Sequence, residues 1–154
     1  MNVPVNRNAI GTVVPETSLV ADAGRLRFFA KATGETNPIY FDRAAARDAG
    51  YRDLPVPPTF LFGIELEAHD PFEWLSALGV DLRRVLHGEQ SFDYDSIAHA
   101  GDKLIARPRI SDVFSKRGGA LDFIVKETAV TREDESPVAT LISTIVVQNP
   151  EVSQ

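Results

Sequence analysis

Between residues 33 and 42 the chain reads TGETNPIYFD, which puts the Glu35 carboxylate, the Asn37 amide and the Tyr40 phenol within six residues. A carboxylate so placed can hold a water and take its proton. Tyr40 is a poor base, because a phenol with a pKa near 10 is ionised in only about one molecule in a thousand at pH 7. Its O–H can still hold water or a carbonyl oxygen. Purely local structure accounts for the same residues: Gly34 ends a helix, Asn37-Pro38 makes a turn, and Tyr40 with Phe41 covers core. A second cluster is LHGEQ, residues 86–90. His87 falls at the start of a strand, Gly88 lets the backbone approach closely, and Gln90 follows on the same face as an amide partner. A lone histidine at a strand end is more often a hydrogen-bonded structural residue than a base. His99, in a turn, and His69, near a helix end, are both expected to be exposed.

The elements that must position these residues change character half-way along the chain. Leu26, Phe29, Ala30 and Thr33 recur at helical spacing, with Asp22 as N-cap and Gly34 just past the end. A shorter helix covers Arg43 to Ala49 and is closed by Gly50. LPVPPTFLFGIELEAHD (residues 54–70) is ambiguous, since Phe60, Phe62, Ile64 and Leu66 alternate as in a strand. Pro58 suits the first turn of a helix, however, and the apolar density favours a long helix buried on all sides. From about Val85 the pattern is that of strands. Gln90, Phe92 and Tyr94 alternate with polar residues, and AHAGDKL turns the chain into a run from Leu104 to Val113. Pro108 lies inside that run and implies an edge position or a bulge. Gly118-Gly119 suits a tight hairpin, and REDESP a solvated turn into Val138–Val147, which is apolar on both faces like a central strand. Helices followed by a meander of four long strands predict an α+β fold in which an antiparallel sheet packs against helix.

Composition bounds the rest. With 154 residues, 44% of them hydrophobic, the chain suits one domain over 1–154, with an ordered core at about 10–148 and a short polar tail, NPEVSQ. A net charge of −6 and a pI near 5.0 argue against a nucleic-acid or anionic-membrane surface. No apolar run reaches the roughly 20 residues of a membrane span, MNVPVNRNAIG lacks the apolar stretch of a signal peptide, and a cytoplasmic location is expected. There is no cysteine, hence no disulfide and no thiolate. No Asp, Glu and His group has the spacing of a metal site, no glycine-rich phosphate loop follows a strand, and no G-x-S-x-G elbow occurs.

TGETNPIYFD resembles the signature Gly-Asp-x-Asn-Pro-x-His of the MaoC-like (R)-specific enoyl-CoA hydratases. Gly34, Asn37 and Pro38 match, Glu35 stands for the Asp and Tyr40 for the His. GYRDLPVPPTF is similar to the family's approach to its central helix, and VLHGEQSFDYDSIAHAGDKLIAR to the strands that follow in MaoC-like N-terminal dehydratase domains, so the resemblance spans about residues 10–148. It implies a single hotdog fold, an antiparallel sheet wrapped around a long central helix. It also implies syn-hydration of an enoyl thioester, or the reverse dehydration. That chemistry needs a water deprotonated beside C3, a proton delivered at C2, and donors at the thioester oxygen. The resemblance assigns the water to the positions of Glu35 and Tyr40 and the thioester oxygen to the helix start at Pro58, Thr59 and Phe60; His87 is a further catalytic candidate, and Asn37, Gly88 and Gln90 are further expected substrate contacts. No resident cofactor is implied; coenzyme A or an acyl carrier protein carries the substrate.

Glu35 adds a methylene to the family's Asp, a shift of about 1 Å, and a misplacement of that size can cost about a hundredfold in rate. Prolines 57 and 58 remove two N–H groups from the helix start. These departures divide the expectation between a self-sufficient hydratase and a subunit that supplies the acyl tunnel while a catalytic hotdog partner supplies Asp and His. A homodimer or such a heterodimer is expected, with strands paired across the interface. The alternatives are a hotdog thioesterase, which would release free thiol, and a non-catalytic acyl-thioester-binding module.

Overall fold

A computed structural model describes residues 4–150, so Glu151–Gln154 of the polar tail lie outside the described residues. Five strands form one antiparallel sheet: β1 (Thr17–Val20), β2 (Val85–Tyr94), β3 (Lys103–Lys116), β4 (Leu121–Arg132) and β5 (Pro137–Gln148). Their order is β1-β3-β4-β5-β2. The expected meander holds for β3, β4 and β5. β1 is an additional edge strand, too short at four residues to show a period. β2 does not neighbour β3; it lies beyond β5, with Phe92 opposite Leu141 and Tyr94 opposite Ala139.

Alternation along β4 and β5 gives the sheet one buried inner face, where Val130, Ala139 and Leu141 meet Phe60, Leu61 and Ile64 of the segment before β2 and where Lys126, Thr128 and Ser143 are buried as well. β5 is thus not covered on both faces in the way its sequence suggests, since Ile142 is 38% exposed. That segment is a 3-10 helix, Phe60–Glu67, of eight residues, in place of the long α-helix expected. At about 2.0 Å per residue it rises only about 16 Å. The sequence explains the tighter winding. Pro57 and Pro58 supply no N–H, Thr59 caps the start in a left-handed conformation (φ 71°), Gly63 interrupts the middle, and Asp70-Pro71 follows. Pro58 is therefore outside the helix and not at its first position. Nor is the segment buried on all sides, since Phe62 and Leu66 face outward.

Pro108 sits in an interior strand. Its carbonyl accepts from Val14 N–H at 3.0 Å, so its nitrogen faces the irregular stretch where pairing with β1 has ended. The bulge in β3 falls further along, between Ile110 and Asp112. Turns are as the sequence predicts: Arg117, Gly118 and Gly119 all take positive φ between β3 and β4, and Glu135 does so before β5.

A second apolar cluster lies at the far end of the sheet, where Ile110, Ile124 and Val147 meet Leu75 of a short helix, α3 (Glu73–Ala77). Here Asp122 is 1% exposed and satisfied by three donors: Val5 N–H at 3.0 Å, Asn149 Nδ2 at 2.8 Å and Ser115 Oγ at 2.5 Å. Val5 and Ala9 join this core, so ordered packing begins ahead of residue 10.

Candidate active site

The loop TGETNPIYFD is built by successive caps. α1 (Ala23–Ala32) begins at Asp22, whose carboxylate accepts from Gly24 N–H at 2.9 Å and Arg25 N–H at 3.1 Å. It ends with Gly34 at φ +74°. Gly34 N–H returns to Lys31 O at 3.2 Å and Glu35 N–H to Ala30 O at 2.9 Å, the paired bonds of a Schellman end. Glu35 Oε1 then accepts from Thr36 N–H at 2.8 Å and from Asn37 N–H at 2.9 Å. Asn37 Oδ1 accepts from Ile39 N–H at 3.2 Å and opens a 3-10 turn over Pro38–Tyr40. Asp42 caps α2 (Arg43–Asp48) through Ala44 N–H at 2.6 Å. The local reading of this stretch is thus correct in detail, and one carboxylate oxygen of Glu35 is occupied by the loop's own backbone.

α2 ends by the same device. Gly50 takes φ +94°, and Tyr51 N–H returns to Ala46 O at 2.9 Å, which delivers the Tyr51 ring toward Tyr40. The chain then runs antiparallel to residues 98–100: Val56 N–H meets Ala98 O, and Ala100 N–H meets Leu54 O, each at 2.8 Å. Asp102 braces that wall through Arg52, Arg132 at 3.2 Å and His99 N–H at 3.0 Å. Burial acts to raise the Asp102 pKa, but these donors outweigh it and hold the carboxyl below its usual range. His99 is partly buried against Tyr51, ring centroids 6.0 Å apart, and not exposed as its place in a turn suggests. Burial, then the Arg52 guanidinium, push its pKa down. His69 is exposed.

Between these walls lies an apolar cavity of about 210 Å³, lined by Tyr40, Tyr51 and Tyr94 with Pro55, Pro58 and Val138. The chain has three tyrosines, and all three converge here. Burial pushes the Tyr40 phenol above its ordinary value of 10, and the Glu35 carboxylate beside it adds to the shift. Tyr40 is therefore a neutral donor at any physiological pH. Tyr94 Oη accepts from Thr59 N–H at 3.0 Å.

Of the residues singled out from sequence, Tyr40 and Pro58 line this cavity, while Glu35 lies near Tyr40 but is not among the lining residues. Asn37 is exposed, engaged in its cap. Thr59 presents its N–H to Tyr94, and Phe60 packs edge-on against Phe29 at 5.4 Å, inside the core. His87 lies elsewhere, its ring edge-on to Phe62 at 5.5 Å. Gly88 is the extra residue of a bulge in β2, and that bulge is why His87, opposite Ile145, and Gln90, opposite Ser143, share a face. Gln90 does not serve His87, however; its Oε1 accepts from Ser143 Oγ and its Nε2 donates to Ser91 O at 3.1 Å. Tyr51 and Tyr94 are absent from the sequence-derived set because no spacing rule links residues 40, 51 and 94. The scarcity of tyrosine offered a hint, but no partner for it. No group of three or more Asp, Glu and His side chains among the described residues could hold a metal ion.

The family described as FAS1-like, dehydratase domain region, matches residues 8–141. The chain belongs to this dehydratase-region family. It is 34% identical to a UPF0336 protein of Saccharopolyspora erythraea over 94% of this chain and 92% of that one, and 38% identical to one of Leifsonia xyli over 97% and 99%. Among solved structures, the (3R)-hydroxyacyl-ACP dehydratase complex HadBC of Mycobacterium tuberculosis superposes with a TM-score of 0.74 at 27% identity, over 90% of this chain and 96% of that one. A MaoC-like dehydratase gives 0.78 at 23% identity, over 93% of this chain and 43% of that one. The (R)-hydratase of A. caviae gives 0.66 at 17% over 88% and 94%, a likeness of fold. The hotdog architecture and the MaoC-like resemblance read from TGETNPIYFD are thus shown. In this member the 3-10 helix Phe60–Glu67 takes the central place.

Proposed function

We propose that this chain is the acyl-holding subunit of an (R)-specific 3-hydroxyacyl-thioester dehydratase, or trans-2-enoyl-thioester hydratase, and that a second hotdog subunit supplies the base. The observation that carries this reading is the state of the loop. Glu35 spends Oε1 on its own backbone, Tyr40 is a protonated phenol in place of an imidazole, and His87 is away from the cavity. What remains beside the loop is an apolar recess with phenol donors, chemistry suited to holding an acyl thioester.

A partner has a place to join. β2 is an edge strand whose outer side pairs with nothing among the described residues, and Leu86 on it is 52% exposed. Phe62 and Leu66 of the adjoining 3-10 helix are exposed as well, so a long open ladder and an apolar strip adjoin. HadBC is a complex by its description, which supports pairing of two hotdog chains here. The substrate in this reading is carried by coenzyme A or an acyl carrier protein.

Hydration of crotonyl-CoA by the purified chain tests the proposal. The chain alone is expected to give no turnover above buffer, and addition of a catalytic MaoC-like subunit to restore it. Turnover by the chain alone that disappears in Glu35→Gln would instead make it a self-sufficient hydratase, and release of free thiol from acyl-CoA would make it a thioesterase.

A further inference from the structure

Tyr94 has a hydroxyl with one role filled and one open. Its oxygen accepts from Thr59 N–H at 3.0 Å, at the left-handed residue that starts the central 3-10 helix. A phenol has one proton and two lone pairs, so acceptance from Thr59 leaves the proton to be donated elsewhere. Among the described residues no oxygen or nitrogen receives it. The ring stands on the inner side of β2, opposite Ala139, in parallel stacking with Phe92 at 6.1 Å, and it lines the apolar cavity beside Pro58.

The helix start itself offers a bound ligand little. Pro57 and Pro58 carry no N–H, Thr59 N–H is taken by Tyr94, and Phe60 N–H is turned back to Pro57 O at 3.2 Å. A carbonyl oxygen entering the cavity therefore meets no free backbone donor at this point. It meets a phenol already polarised by accepting a backbone N–H, and such a chain of hydrogen bonds strengthens the terminal donor.

Resting on the proposed acyl-holding role, we infer that Tyr94 is the residue that hydrogen-bonds the thioester carbonyl oxygen of the bound acyl group, relaying the polarity of the Thr59 N–H through its own hydroxyl. Tyr94 is thus a ligand-positioning residue in this chain, and the prolines before Thr59 are compatible with function because the phenol stands in for the missing N–H groups.

The test compares butyryl-CoA with S-butyl-CoA, a thioether that keeps the chain length and lacks the carbonyl oxygen. Titration calorimetry on the full chain is expected to show butyryl-CoA bound about tenfold more tightly, the worth of one good hydrogen bond. In Tyr94→Phe that ratio is expected to fall to about one, with the thioether affinity unchanged, which also reports an intact fold. A ratio near one in the parent, or a ratio that survives in Tyr94→Phe, would overturn the assignment while leaving the acyl-holding role standing. Loss of the ratio in Tyr40→Phe but not in Tyr94→Phe would give the carbonyl to Tyr40 and likewise overturn it. If neither ligand binds, the acyl-holding role falls and the Tyr94 assignment with it. A measurement that needs no variant is the infrared carbonyl stretch of ¹³C-labelled butyryl-CoA, expected to move to lower frequency on binding; no movement would count against any donor at that oxygen.

Discussion

Replacing Lys126 with methionine asks how much charge the inner face of the sheet can carry. Lys126 Nζ donates to Glu65 Oε2, Thr128 Oγ1 donates to Glu65 Oε1 at 2.6 Å, and the ammonium lies 5.0 Å from the Trp74 ring centroid. Side-chain exposure is 11% for Lys126 and 17% for Glu65, so water screens the pair little. Methionine keeps most of the stem's packing and deletes the charge, leaving the carboxylate with Thr128 as its donor. An uncompensated buried charge costs about 3–5 kcal/mol, a large part of a native stability of about 5–15 kcal/mol. With a urea slope of about 2 kcal/mol per M, the unfolding midpoint should fall by about 1.5–2.5 M at fixed protein concentration. Combining Glu65→Gln with Lys126→Met removes both charges yet keeps an acceptor for Thr128, and should recover about 2 kcal/mol of the loss. A single variant that loses less than about 1 kcal/mol, or a double variant no better than the single, would refute the reasoning.

Gly88→Ala puts a Cβ 2.8 Å from Val146 Cγ2 and 3.2 Å from Thr144 O, so it should cost about 1–3 kcal/mol in the same urea assay. An unchanged midpoint would mean the bulge has room to spare. For Tyr40, the folded-state pKa lies above 10, so its contribution to stability is complete below pH 10 and is lost as pH rises through the raised folded value. Ultraviolet titration of the parent against Tyr40→Phe should remove the phenol that ionises above 10; removal of one that ionises at or below 10 would contradict the burial assigned to it.

How far the sequence could be read depended on whether the deciding force was local. Asp22, Gly34 and Gly50 marked their helix ends correctly because a cap is settled within a few residues. That β4 and β5 are strands was equally legible, but which face each buries was not: Val138–Val147 read as apolar on both faces, whereas burial alternates along it and Ile142 is 38% exposed. Residues 54–70 misled because a dense apolar run satisfies several windings, and the choice fell to Pro57, Pro58 and the left-handed Thr59. β2 was found as a strand but misplaced in the sheet, because pairing with β5 is decided across about fifty residues of chain. The candidate site divides likewise. TGETNPIYFD located the loop through its resemblance to a known signature, whereas Tyr51 and Tyr94 reach the same cavity by a helix end and a strand end that no short pattern connects.

The Asp122 carboxylate binds Val5 near one end of the chain and Asn149 near the other. Val138, on the cavity wall, lies next to Ala139, which pairs with Val130; Asp122 is eight residues from Val130 along β4, a separation of about 26 Å. Anything joined to residues 5 or 149, whether an affinity handle, a fluorophore or a second protein, therefore departs from a single corner remote from the tyrosines. Two probes attached there would report on each other and leave the recess open to ligand.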